Sequence, residues 1–180
     1  GCTWNKRVVS GECVAGGLYE RGQFPLSYLS TGREEARVRV CAAANMGFSA
    51  MKGLAGGWLT NARACMAYMS QFDNMVPIWG IQRQAELDQW LSFMDEGVGE
   101  GVVDAAGAGT HLLDDETRAY IASERAELAG KFCRGCGYCM PCPMGITINQ
   151  CARLRLLLRR APPASRLDRP WQAEMAQIEH

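Results

Sequence analysis

Histidine is nearly absent: the 180-residue chain holds two, His111 and His180, both beside polar segments. Each reads as a surface residue, which argues against a histidine-based catalytic pair. Net charge is lacking as well, with 19 lysines and arginines against 19 aspartates and glutamates, so no overall field draws the chain to nucleic acid or an anionic membrane. No apolar run approaches the roughly 20 residues of a membrane helix. At the start there is no basic segment leading into an apolar one, so nothing marks the chain for export, and a cytoplasmic location is expected. The first residue is Gly1 rather than methionine. Finally, 48% hydrophobic and 21% charged residues leave no room for a disordered, collagenous or coiled-coil protein.

What is present is unevenly placed. Residues 1–130 carry 11 basic and 16 acidic side chains and residues 131–180 carry 8 and 3, so the two parts are charged −5 and +5. Of nine cysteines, Cys2, Cys13, Cys41 and Cys65 are scattered among apolar residues and read as small buried hydrophobes. The other five, Cys133, Cys136, Cys139, Cys142 and Cys151, fall within 19 positions. An odd total clustered in this way points to a metal site in a reducing compartment.

Residues 1–96 alternate short apolar runs with helical patterns, as βα units around a parallel sheet do. Strands are expected at 2–4, 23–26, 48–51 and 76–79. Thr31 and Glu34 form a capping box for a helix running to about Asn45, with Gly47 placed to end it. Thr60 is expected to cap the next helix, through about Phe72, and 84–96 makes a third. Gly53, Gly56 and Gly57 make a glycine-rich turn that suits either a common loop or a phosphate. Met66, Met69 and Met75 look like core filling. Residues 97–113 read as a linker. Asp114, Asp115 and Glu116 then open a helix to about Leu128, 147–160 has helical spacing, and a last amphipathic segment starts at Pro170. On this reading 114–180 is one helical module.

The strongest motif is Cys133-Arg-Gly-Cys136-Gly-Tyr-Cys139-Met-Pro-Cys142-Pro. Thiolates two residues apart on a tight loop wrap three corners of an iron–sulfur cube, and Gly135 and Gly137 allow the backbone such a loop needs. The fourth corner falls to Cys142 or to Cys151. Structural zinc and a labile dithiol pair are the plainer alternatives. A [4Fe-4S] unit carries about −2 and would bring the tail to about +3. Met140 would shield it from water. Arg153, Arg155, Arg159, Arg160, Arg166 and Arg169 read either as a solvated helix face or as a docking face for an acidic electron carrier of the ferredoxin or flavodoxin type.

The stretch 132–160 resembles the iron–sulfur segment that follows the barrel in predicted oxidoreductases of the aldo/keto reductase family. Gly1-Cys-Thr-Trp-Asn5 is similar to that family's fifth-strand motif, Gln23-Phe-Pro-Leu-Ser-Tyr28 to its sixth, and 47–57 to its seventh strand and loop. Pro77-Ile-Trp-Gly80 with Gln82 and Arg83 resembles its eighth strand and phosphate loop. The resemblance implies half of a (β/α)8 TIM-type barrel, four βα units over 1–96, followed by a small α-helical ferredoxin-like [4Fe-4S] module. It implies nicotinamide-dependent reduction of a small-molecule carbonyl in the complete protein, with NAD(P)H held by Thr3, Asn5 and Gln23 at the carboxamide and by Gly80 and Arg83 at the adenosine end. Trp90 stands where the family often has an asparagine against adenine.

No segment corresponds to the first four strands, which carry the family's catalytic tyrosine, lysine, aspartate and histidine. The chain is therefore expected to be a piece of a longer oxidoreductase and inactive alone in carbonyl reduction, since protonating the forming alkoxide needs an acid. A stand-alone electron-transfer protein binding one cluster is the alternative, and a structural zinc protein a third.

Overall fold

A computed structural model describes residues 1–3, 7–94, 113–128, 133, 139–160, 172–173 and 176. By its contacts the chain divides into two units, Gly1–Ala129 and Gly130–His180. The first is α/β. Its strands β1 (Cys2–Thr3), β2 (Arg21–Pro25), β3 (Gly47–Met51) and β4 (Met75–Pro77) form one parallel sheet in the order β1-β2-β3-β4. Helices α1 (Arg7–Ala15), α2 (Gly32–Ala43) and α3 (Ala62–Met69) provide the crossovers, and α4 (Gln84–Phe93) follows β4.

Right-handed crossovers between successive neighbours put every connecting helix on the same face of the sheet. The burial pattern follows. Gly22 and Phe24, and Phe48 and Ala50, are buried on one face, where the Phe24 and Phe48 rings meet edge to face at 4.4 Å. Residues at the alternate positions, Arg21, Gln23, Ser49 and Val76, are exposed or half-buried on the other. Val38 and Cys41 on α2 and Ala64, Cys65 and Tyr68 on α3 complete the core.

Helix α5 (Asp115–Leu128) belongs to this first unit by its contacts, whereas the sequence groups it with the cysteines. Arg125 explains the difference. Its Nε donates to the Tyr28 carbonyl and its Nη2 to Glu35 at 3.1 Å, while its guanidinium lies 5.6 Å from the centre of the Tyr68 ring. Tyr68 donates to the same Glu35 oxygen at 2.8 Å, and the Tyr28 hydroxyl to Glu124 at 3.4 Å. Burial pushes both phenols well above their ordinary pKa, so they act as neutral donors. In the second unit the described helix is α6 (Ile148–Arg160).

Several boundaries differ from the sequence reading for identifiable reasons. Strand β2 starts two residues early because Arg21 and Gly22 pair with Gly47 and Phe48. Gly47 lies in β3, so the left-handed residue beyond α2 is Asn45, at φ 51°, a conformation asparagine tolerates. Asn61 rather than Thr60 caps α3, accepting from the Ala64 N–H at 3.0 Å. Helix α1 carries no local signal, since Val8, Val9 and Gly11 all have modest helix propensity. Cys41 and Cys65 are buried as expected, but Cys2 and Cys13 are only half-buried.

The turn after β3 is shaped by its neighbours. Lys52, Ala55, Gly56 and Gly57 all have positive φ, and Gly53 lies against the Trp79 indole, which stacks on buried Trp90 at 4.1 Å and 13°. A Cβ at Gly53 would run into that ring. The stack leaves the ring little freedom to withdraw. Gly53→Ala is therefore expected to lower stability by about 1–3 kcal/mol. Urea denaturation checks this, with Gly80→Ala, which meets nothing within 4 Å, as the control that barely moves.

Candidate functional site

Ligands of open parallel α/β sheets sit outside the carboxyl ends of the strands, where the βα turns gather. Here those turns are 26–31 after β2, 52–58 after β3 and 78–83 after β4. The sheet register adds a row across the face opposite Phe24 and Phe48. Thr3 pairs with Gln23, Gln23 with Ser49 and Ser49 with Val76. Two hydroxyls and one amide therefore lie on adjacent strands, about 5 Å from one strand to the next. Such groups donate and accept hydrogen bonds without titrating near neutrality, so the row is suited to holding a polar, flat group and not to moving protons.

Thr3 and Gln23 are paired in the sheet register, while Asn5 lies outside the described residues. Ser49 was not among the expected site residues. The alternation of Gly47-Phe-Ser-Ala-Met51 is the signal that could have found it, because it sets Ser49 opposite Phe48 and Ala50. A pocket of about 330 Å³ opens beside β1, lined by Gly1, Cys2, Thr3, Glu20, Arg21 and Gln23.

Gly80 and Arg83 belong to the turn after β4, two strands beyond Gln23. Gly80 is exposed and its surroundings are open. Arg83 is committed locally: its Nε and Nη2 donate to Glu86 Oε1 at 2.8 and 2.6 Å, and Glu86 Oε2 accepts from the Gln82 and Arg83 N–H groups at 2.8 and 3.2 Å. Trp90 occupies its position as half of the stack with Trp79.

In the second unit Cys133 and Cys142 are half-buried and Cys139 and Cys151 exposed, all as thiols outside disulfides. Cys136 lies outside the described residues. Local backbone bonds set the spacing of the last two. Gly145, at φ 73°, turns the chain and donates to the Cys142 carbonyl at 3.0 Å, and the Cys151 N–H donates to the Thr147 carbonyl at 3.0 Å in the first turn of α6. The donor set fits a soft metal or an iron–sulfur unit, since thiolate is the ligand both prefer. Among the described residues, however, no three Cys, His, Asp or Glu side chains are gathered closely enough to hold a metal ion. None of the described helices is long and apolar enough to cross a membrane.

No family model matches the chain, and neither a curated protein nor a solved structure does.

The Arg83 clasp gives α4 a pH-dependent start. Hydrogen bonds from the Gln82 N–H, then from the Arg83 guanidinium, hold the Glu86 carboxyl below its ordinary 4.5. A depressed folded value means the clasp stabilises fully above the ordinary glutamate range and is lost as pH falls through the folded value. The difference in thermal midpoint between wild type and Glu86→Gln should therefore be largest near neutrality and vanish on acidification. Paired melting curves across the acid range check this.

Proposed function

We propose that this chain is the sheet-and-cluster portion of an iron–sulfur oxidoreductase resembling the aldo/keto reductases. One observation carries the proposal: four cysteines at two-residue spacings closed by Pro143, with a fifth thiol on the following helix. Cys133, Cys136 and Cys139 would hold three corners of a [4Fe-4S] unit and Cys142 or Cys151 the fourth. When bound, such a unit supplies one-electron transfer. Met140, half-buried between two of these cysteines, would exclude water. A reducing compartment such as the cytoplasm suits the thiols.

The sheet supports the barrel half of the reading by its order, because consecutive parallel neighbours are how strands follow one another in a (β/α)8 barrel. On this reading Thr3, Gln23 and Asn5 bind the carboxamide of NAD(P)H, and Ser49 extends their row. Gly80 and Arg83 serve the adenosine end, and Arg83 must exchange Glu86 for a phosphate to do so. The proton donor for a carbonyl substrate would come from elsewhere in the complete protein. The arginines of 153–169 would meet an acidic electron carrier.

Anaerobic purification followed by iron and acid-labile sulfide analysis tests the reading. About four of each per chain are expected, with a [4Fe-4S] resonance in the dithionite-reduced sample. Cys136→Ser should abolish the signal, and Cys142→Ser and Cys151→Ser then identify the fourth ligand. Zinc in place of iron, or no metal after reconstitution, overturns it.

A further inference from the structure

Away from the cysteine run, Cys2 at the start of the sheet and Cys13 on α1 stand eleven positions apart with their Sγ atoms 3.2 Å from each other. Both are thiols and both are half-buried. Bonded sulfurs lie about 2.05 Å apart, so a shift of about 1 Å joins them. Cys2 also lines the pocket beside Thr3 and Gln23, which gives a small reagent a way in.

From this juxtaposition we propose that Cys2 and Cys13 are a reversible thiol–disulfide site whose reaction partner is a small-molecule disulfide. One protein thiol, as its thiolate, attacks the reagent and displaces one reduced thiol, leaving a mixed disulfide. The second protein thiolate then displaces the other half of the reagent. Two protein thiols lose two electrons between them, one S–S bond of the reagent breaks and one forms in the protein. The two protons end on the two released thiols.

The rest of the first unit makes the site selective. Cys41 and Cys65 are buried, with 1% exposure each, and burial raises both thiols, that of Cys65 to about 12. They stay protonated and out of reach of the reagent. The hydrogen bond with Cys2 also raises the Cys13 thiol above its ordinary value. Oxidation ties α1 to β1 next to Thr3. The row from Thr3 to Ser49 and the pocket thereby acquire a redox-dependent border.

Treating the full chain with oxidised glutathione, alkylating the remaining thiols and mapping tryptic peptides tests this. Trypsin cuts after Lys6, Arg7 and Arg21. The expected product is the peptide ending at Lys6 joined to 8–21 by a disulfide, with loss of Cys2 and Cys13 alkylation and recovery on reduction. Cys13→Ser should arrest the reaction with glutathione on Cys2, and Cys2→Ser gives the reciprocal arrest if the first variant does not fold. The proposal is overturned if both thiols remain alkylatable, if each keeps its own glutathione, or if either is joined to a cysteine of 133–151.

Discussion

The order of four parallel strands constrains everything else in the first unit. With neighbours joined in sequence by right-handed crossovers, the connecting helices lie on one face, and the chain divides its strand residues into an apolar set beneath them and a more polar set opposite. Phe24, Phe48 and Ala50 answer the first demand and Gln23, Ser49 and Thr3 the second. A fully buried parallel strand would read as an unbroken apolar run. These strands do not, and the polar residues that break the pattern are the ones that face the candidate site.

The helical side is held together by polar contacts threaded through apolar packing. Glu35 receives a guanidinium and a phenol on one oxygen, so α2, α3 and α5 meet at a single carboxylate. Arg125 is partly exposed, which keeps part of its charge hydrated, and its guanidinium lies over the Tyr68 ring. Asp114 caps the same helix by accepting from the Thr117 N–H at 2.7 Å. Directional contacts of this kind select one docking of α5 where apolar packing alone would allow several.

Much of this was legible in the residues. The alternation of short apolar runs with helical patterns marked a parallel α/β sheet, and Thr31 with Glu34 marked the start of α2, where the Thr31 N–H donates to Glu34 at 2.7 Å. The breaks came where local chemistry is ambiguous. Asn45 and Gly47 are both able to follow a helix, and only pairing with β2 decides that Gly47 belongs to a strand. Arg83 resembles a phosphate-loop residue by its neighbours, and Glu86, three residues on, is what engages its guanidinium at the start of α4. Cys2 and Cys13 come together through a strand-to-helix crossover, for which no spacing rule exists. The cysteine run stands out in the sequence by its two-residue spacing, and the cluster reading proposed for it rests on that spacing.

The attachment of α5 through Arg125 bears on modularity. If the cysteine segment were exchanged between proteins by a join ahead of Asp114, it would carry away the cover of Tyr28 and Tyr68 and leave Glu35 without its cation. A recombination point after Leu128 would leave that arrangement whole. By these contacts the first unit runs through α5, and one arginine holds its last helix to the sheet's helical side.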